Sequence, residues 1–464
     1  MDIFFNPRSI VVFGVSNREG NLGKGVLYNL DWHKWEGKRW GIGRRECEVF
    51  GARVHTSLDD INETPELAVI LTPAGTVPDV FEECAKKGVR RIIVESGGFG
   101  EWSDEMKSRE ARMLETAKKH HIRFIGPNCI GTINLPKKVV TAFGKRENFA
   151  RIGDVSIISQ SGGVYTWFAG LVSGEGLGFN KGVSVGNKLN VDETDILDYY
   201  AKDKSTGSIL MYLEDIRDGG KFFDVAAECT KPIIALKANS FPETNAIASS
   251  HTAAMASNDK VVDGALRQAG VCRPRGVPEL INAVKGFALP RMKGNGLAIV
   301  SRSGGHAVIA ADRAAMHGFE MAKFSDKTME RLEKVSPTTR IVRQNPLDIG
   351  DVFNIAIYAP MLEAVLADPQ VDGVEFIHTF PSRDEIPASK KLLDEIVAIC
   401  KENEKPVSIC FTGLAEQVTE LKSSVDYPIF GQPENAIDAL AASRNWWERR
   451  KRIETVRGVH PVPK

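Results

Sequence analysis

Apolar residues in this chain fall in short unbroken runs rather than in alternation. Residues 9–15 (SIVVFGV) form the first, and 67–74, 89–100 and 122–131 continue the series. Runs of about four to six apolar, largely β-branched residues suit strands of a parallel sheet covered on both faces. Between them, 77–88 (VPDVFEECAKKG) and 108–121 (SREARMLETAKKHH) carry the spacing of amphipathic helices. Strand, glycine-rich turn and helix in repeated succession are the signature of βαβ units, so residues 1–133 read as a doubly wound domain. A second series covers 153–163, 179–188, 208–216 and 232–239. A Pro/Gly/Lys stretch at 288–296 reads as a linker, and a third series follows at 297–307, 371–380 and 406–413. The expected fold class is α/β, in three modules: 1–133, 134–290 and 291–464. Two of these share an echo: IISQSGG at 157–163 and IVSRSGG at 299–305 each end a strand and open a helix-like segment.

The 464 residues include 60 Lys and Arg against 60 Asp and Glu, and 42% are hydrophobic. Zero net charge argues against a nucleic-acid binder that relies on bulk positive charge, and against a polybasic membrane surface. No run approaches the roughly 18 apolar residues of a membrane span, and residues 1–14 lack a charged-then-apolar leader. Seven scattered cysteines with no CxxC read as reduced thiols, hence a cytoplasmic setting. The basic, aromatic 445–452 (NWWERRKR) reads as a solvated helix end with Trp446 or Trp447 packed inward.

The glycines cluster where strands end. The turn 13–25 (FGVSNREGNLGKG) follows a strand and precedes a helix, so its N–H groups and Lys24 favour an anion. It fits neither G-x-G-x-x-G nor a P-loop, which argues against a nicotinamide-dependent oxidoreductase. Thr72-Pro73-Ala74, Ser96-Gly97-Gly98-Phe99 and Gly126-Pro127-Asn128-Cys129 also fall at carboxyl ends of parallel strands, where such sheets bind ligands. Arg44 and Arg45 stand where they could pair a phosphate. Of nine histidines, His251 has the most suggestive setting, IASSHTAAMAS at 247–257. Imidazole there could act as nucleophile, base or phosphoryl acceptor, and Glu214 is the best carboxylate to steady it. A lone histidine is more often a satisfied structural residue, and its context does not by itself decide the matter.

In order, SQSGG, SVGNKLNVDETDIL, YLEDIRDGGKF, SSHTAAMAS, ALRQAGV and the later SRSGGHAVIAADRAAMHGFE make the chain resemble the α subunit of NDP-forming acyl-CoA synthetases. This is the ADP-forming acetyl-CoA synthetase group, related to succinyl-CoA synthetase, and the resemblance covers the whole chain. It implies a Rossmann-like coenzyme A-binding domain followed by two flavodoxin-like domains of the succinyl-CoA synthetase type. It implies coenzyme A at Ser16, Gly23, Lys24, Gly25, Arg45, Thr72, Pro73, Ala74, Ser96, Gly97, Gly98, Phe99, Asn128 and Cys129. It places a transiently phosphorylated histidine at His251, its stabilising glutamate at Glu214, and a phosphate turn at Ser159, Gln160, Ser161, Gly162 and Gly163. The implied reaction interconverts a small carboxylate, ATP and coenzyme A with acyl-CoA, ADP and phosphate through an acyl phosphate. No ATP-grasp unit is found in the chain, so ATP or ADP and Mg²⁺ belong to a separate ATP-grasp β subunit in an α2β2 assembly. Neither nucleic acid, membrane nor a metal ligand set on this chain is implied.

Three departures from the pattern carry expectations. Ala253 and Ser257 replace glycines in the histidine loop and bar most positive-φ geometries, which leaves a non-catalytic CoA-sensing module with the same fold as the alternative. His306 stands on the echoed turn where Gly-Pro is common, as a second functional histidine or a helix-start residue. Arg302 would suit an acid with a second negative group.

Overall fold

A computed structural model describes residues 1–99, 104–147, 151–241, 243, 258–335, 344–350, 354–379 and 383–457. The chain forms two compact units: residues 1–170 with 178–273, and 171–177 with 274–464.

The first unit carries two sheets. Sheet one contains β1 (Ser9–Phe13), β2 (Lys38–Ile42), β3 (Cys47–Val49), β4 (Ala52–His55), β5 (Leu67–Ile70), β6 (Arg91–Val94) and β7 (Arg123–Ile125), in the order β3-β4-β2-β1-β5-β6-β7. All pairs are parallel except β3–β4. Without β3 this is the doubly wound dinucleotide-fold order, whose switch point lies between β1 and β5. Residues Ile10 to Phe13 and Leu67 to Ile70 are essentially inaccessible, as expected of central strands covered on both faces. Helices α1 (Leu22–Trp32), α2 (Val77–Lys87) and α3 (Asp104–Lys119) alternate with the strands. Pro78 opens α2 and Gly88 closes it at φ +89°, a left-handed cap that a side chain would resist.

Sheet two contains β8 (Thr132–Asn134), β9 (Val139–Val140), β10 (Ile152–Ser159), β11 (Phe179–Ser184), β12 (Ser208–Leu213) and β13 (Ile233–Lys237), in the order β13-β12-β10-β11-β8-β9. The four longer strands are parallel and follow the flavodoxin order, while β8 and β9 add an antiparallel edge. Helices α4 (Gly162–Gly174), α5 (Glu193–Lys202) and α6 (Gly219–Glu228) complete the alternation. Asp192 caps α5 with a capping box, accepting from the N–H groups of Thr194 and Asp195 at 3.0 Å each.

The second unit is built on sheet three: β14 (Gly296–Ser301), β15 (Glu320–Met321), β16 (Leu347–Asp348), β17 (Gly373–Thr379), β18 (Val407–Thr412) and β19 (Ile429–Phe430). Its order is β15-β14-β17-β18-β19 with β16 also on β14, again the flavodoxin pattern. The stretch at 288–296 is not a solvated linker. Leu289 and Met292 are 6% and 2% exposed and belong to the core of this unit. The preceding helix Val277–Phe287 packs against the C-terminal helix Pro433–Arg457. On that helix Trp446 is buried against Phe287, and Arg291 covers the ring of Trp447 at 4.1 Å.

Candidate functional site

The turns singled out in the sequence lie at the carboxyl ends of parallel strands, those after β1, β5, β10 and β14 at the switch points of their sheets. In sheet one the chain leaves β1 through Gly14 at φ +86°. A Cβ there would sit 2.7 Å from the Leu71 carbonyl oxygen, so the two central strand ends meet at a position only glycine fills. The Gly14 and Val15 N–H groups are spent on the Ile42 carbonyl. Asn21, which the motif reading did not single out, organises the rest. Its Oδ1 accepts from the N–H groups of Lys24 at 2.8 Å and Ser16 at 3.1 Å, and its Nδ2 donates to the Gly14 carbonyl at 3.0 Å. Gly23 and Gly25 pack closely on other backbone: a Cβ would meet Gly14 O at 3.1 Å and Gly144 N at 3.0 Å. Lys24 Nζ reaches the Asn17 carbonyl at 3.2 Å on the exposed side.

Hydrogen bonds chain the neighbouring strand ends together. Ser96 Oγ donates to the Thr72 carbonyl at 2.6 Å, Asn128 N donates to Ser96 O at 2.9 Å, and Asn128 Nδ2 reaches Asn187 Oδ1 at 3.3 Å. A Cβ on Gly97 would lie 3.1 Å from Asn128 Oδ1. Thr72 Oγ1 is a buried polar atom without a partner among the described residues, an orphan at the switch point. Pro73 and Asn128 are exposed, Ala74 is half-buried, and Gly98 turns at φ +86°. Arg44 and Arg45 are exposed just beyond β2, where Gly43 packs on Val15. Two expected contacts do not form with side chains. Phe99 is fully buried in the core, and the buried Cys129 thiol donates to Val94 O at 3.2 Å, so either could meet a ligand only through its backbone.

In sheet two, β10 ends at the SQSGG turn beside the end of β12. Ser159 Oγ donates to Ser161 O at 2.6 Å, and Gln160 N donates to Tyr212 O at 3.0 Å. The Gln160 side chain bridges the strand ends. Its Oε1 accepts from Glu214 N at 3.0 Å and Asp215 N at 3.2 Å, and its Nε2 donates to Asp215 Oδ1 at 2.7 Å. Ser159 and Gln160 were expected to face phosphate, but their side chains are committed to shaping the turn. What remains for an anion is the start of α4. The Gly162 and Gly163 N–H groups have no acceptor among the described residues, as the first amides of a helix do not.

Glu214 is held by its backbone. Its carbonyl accepts from Lys237 Nζ at 2.7 Å and Asn239 Nδ2 at 3.4 Å, while its half-buried carboxylate has no partner among the described residues. Next to it lies a charged cluster that the motif reading named only as part of its resemblance. Lys188 Nζ, 5% exposed, sits 3.0 Å from the fully buried Glu193 and 2.5 Å from Asp215. Burial alone would raise the Asp215 carboxyl, but the Lys188 charge and its hydrogen bonds outweigh this and hold it below the usual carboxylate range. Burial also pulls the Lys237 ammonium down, against the opposing effect of Asp215. His251, with Ala253 and Ser257, lies outside the described residues.

The second unit repeats the turn. Ser301 Oγ donates to Ser303 O at 2.8 Å, Arg302 N donates to Ile377 O at 3.0 Å, and Ser303 caps the helix Gly304–Met316. His306 is on its first turn, with Nδ1 3.5 Å from Thr379 Oγ1. Arg302 is not free for an acidic substrate: it pairs with Glu385 at 2.5 Å and donates to Thr379 O at 2.8 Å.

Three doubly wound sheets with glycine turns at the ends of their parallel strands define an α/β protein of the class that binds ligands at those strand ends. Comparison with known proteins sharpens this. Residues 8–134 match the CoA binding domain family, and 152–287 match the succinyl-CoA ligase like flavodoxin domain. The chain is 33% identical to the α subunit of an ADP-forming acetate–CoA ligase of Pyrococcus furiosus, over 95% of this chain and 97% of that one. It is 32% identical to an ADP-forming 4-hydroxybutyrate–CoA ligase of Nitrosopumilus maritimus, over 94% of this chain and 63% of that one. The structure superposes with a TM-score of 0.90, at 28% identity and 98% coverage of both chains, on an acetyl-coenzyme A synthetase of Ca. Korarchaeum cryptofilum solved with phosphate and ADP. The chain belongs to the family of ADP-forming acid–CoA ligase α subunits. It is thus a subunit of an enzyme, and nothing in these relationships favours a non-catalytic CoA sensor.

Proposed function

We propose that this chain interconverts a small carboxylate, ATP and coenzyme A with acyl-CoA, ADP and phosphate, in concert with a second subunit. The observation that carries the reading is the juxtaposition at the end of β10. Two N–H groups at the start of α4, unpaired among the described residues, lie one strand from a carboxylate whose backbone is fixed and whose oxygens have no partner among the described residues. Such a turn suits a phosphoryl group in transit, with its charge met by amides already in place.

The steps assign each residue a task. His251 takes a phosphoryl group from ATP, releasing ADP, and passes it to the substrate carboxylate to give an acyl phosphate. Coenzyme A thiol then attacks the acyl carbon, and phosphate leaves. Glu214 accepts a hydrogen bond from the imidazole and steadies its charged, phosphorylated form. The Gly162 and Gly163 amides cradle the phosphoryl oxygens. Ser16, Gly23, Lys24, Gly25 and Arg45 line the diphosphate side of the coenzyme A site. Thr72 to Ala74, Ser96 to Phe99 and Asn128 to Cys129 line its other edge, Phe99 and Cys129 through backbone alone.

Among the described residues, no group of three His, Cys, Asp or Glu could hold a metal ion. The reading assigns the nucleotide with its Mg²⁺ to an ATP-grasp β subunit, in an α2β2 assembly. The naming of the Pyrococcus furiosus relatives as α subunits supports a partner subunit. Among the described residues no helix is long and apolar enough to cross a membrane. Seven cysteines without a disulfide suit a reducing cytoplasm.

The test uses γ-labelled ATP with the chain alone, then with its partner. Acid-labile label on this chain should require the partner and vanish in His251→Ala. Glu214→Gln should lower the labelling rate by roughly tenfold or more. Label that persists in His251→Ala would overturn the histidine assignment, and labelling of the chain alone would overturn the assignment of the nucleotide site. A panel of acetate, 4-hydroxybutyrate and aromatic acids then identifies the carboxylate.

A further inference from the structure

At the amino ends of β1 and β2, opposite the turns described above, the first unit has a pocket of about 470 Å³. Arg8, Lys34, Lys38, Lys137 and Lys138 line it, with Glu36 as the one carboxylate. In a chain with no net charge, five cations against one carboxylate give this lining a positive excess. Two of them are neutralised: Arg8 pairs with Glu66 at 2.5 Å and Lys38 with Glu63 at 2.8 Å. The ammonium groups of Lys34, Lys137 and Lys138 have no partner among the described residues, and all three are exposed. They come from two distant stretches of chain, the segment after α1 and the turn between β8 and β9.

The backbone adds a second observation. Lys34 and Lys138 hold φ of +57° and +59°, the left-handed region. Glycine would sit there without strain, yet at both positions the chain carries a long cation that reaches the same pocket.

We propose that this pocket is a binding site for a compact polyanion of two or more linked phosphates, separate from the sites at the carboxyl ends of the strands. The volume is enough for a di- or triphosphate group. Trp35, the one aromatic residue lining it, is only 8% exposed, so the pocket offers no ring on which a base could stack. Recognition is thus of the phosphates themselves, through charge-assisted hydrogen bonds from three flexible ammonium groups.

The test titrates inorganic tripolyphosphate calorimetrically into the full chain at low salt, and compares wild type with Lys34→Gly/Lys138→Gly and with Lys137→Gln. The double variant relieves both left-handed positions, so its Tm should match or exceed that of wild type. The wild type should show a tripolyphosphate site that weakens roughly tenfold or more in the double variant and several-fold in Lys137→Gln. That site should also weaken steeply with added salt. An ATP analogue should bind there no more tightly than tripolyphosphate if phosphates alone are read, and clearly tighter binding would overturn that part. Superimposable isotherms for wild type and both variants would overturn the site. So would a site that takes poly-glutamate but not tripolyphosphate, which would assign the pocket to an acidic protein segment.

Discussion

Replacing Gln160 by leucine removes three hydrogen bonds at once while keeping most of the volume. Two are amide bonds from the N–H groups of Glu214 and Asp215, worth about 1 kcal/mol each. The third joins the side-chain amide to the ionised Asp215, worth about 1.5–3 kcal/mol. Glu214 and Asp215 are half-buried, so water recovers part of the loss, and the net cost should be about 2–4 kcal/mol. The effect should be local first. Deuterium exchange at the Glu214 and Asp215 amides should quicken by roughly 30-fold or more, since each 1.4 kcal/mol is about a factor of ten. Gln160→Glu separates the two contributions. It keeps an acceptor for both N–H groups but sets a carboxylate against Asp215, where Nε2 now donates at 2.7 Å. Asp215 itself has a lowered pKa, so the stability it contributes is present above the unfolded aspartate value and lost as pH falls through the folded one. The Gln160→Glu defect should therefore be largest at neutral pH and shrink toward pH 4, while the Gln160→Leu defect should persist across the range. Unchanged exchange at both amides in Gln160→Leu, with an unchanged urea midpoint, would refute the view that this side chain fixes the Glu214 strand end.

Three further outcomes follow from buried charge and burial. Burial raises the Glu95 carboxyl well above the carboxylate range, against Arg146 and the Phe143 N–H, so the folded chain keeps a proton that the unfolded chain releases. Stability is lost as pH rises above the unfolded value, by about 1.4 kcal/mol per pH unit until the folded pKa is reached. Glu95→Gln should therefore raise Tm at pH 8 and leave it nearly unchanged at pH 4.5, and an equal shift at both would show that charge is not the cause. Lys188→Met strands the fully buried Glu193 and its neighbour Asp215, at a cost of about 3–5 kcal/mol in urea unfolding, and adding Glu193→Gln should return a measurable part. Five of the seven cysteines are buried, and burial pushes the Cys400 thiol up to about 12. Dithionitrobenzoate should therefore react quickly at Cys47 and Cys272 alone, and fast labelling of Cys84 or Cys129 would contradict the packing described.

The long parallel strands were legible because burial on both faces forces continuous apolar runs. The run at 9–15 contains β1, 208–216 contains β12, and 371–380 contains β17, each strand ending one to three residues before its run does. The strands that escaped notice lack that cause. β2 reads KRWGI and is exposed at its start, β8 and β9 form a short antiparallel edge, and β15, β16 and β19 have two residues each. No periodicity is measurable over such lengths. The glycine turns were legible as places, and the structure supplies a different reason for several of them. Gly14, Gly23 and Gly25 let backbone meet backbone within the protein, so their presence alone does not demonstrate a phosphate. Asn21 was illegible because its work is a three-way hydrogen-bond pattern with no spacing signature. Lys188, beyond β11, and Asp215, beyond β12, meet only across the end of β10, which lies between those strands in the sheet.

The echoed turns show how much a short motif carries. In each, the first serine bonds the carbonyl two residues on, and the residue after it donates its N–H to the neighbouring parallel strand. Tyr212 accepts that bond in the first unit and Ile377 in the second, so one backbone device closes both switch points. The variable residue between the serines then meets opposite demands. At the end of β12, two N–H groups need an acceptor, and the Gln160 amide oxygen supplies it. Past the end of β17, a carbonyl and a carboxylate need donors, and the Arg302 guanidinium supplies them. An amide carries both a donor and an acceptor, whereas a guanidinium only donates. Arginine at 160 would leave the Glu214 and Asp215 amides without a partner, and glutamine at 302 would leave Glu385 without its cation. The matching serines and glycines thus specify the shape of a turn, and the one residue that differs specifies which polar groups the turn must hold in place.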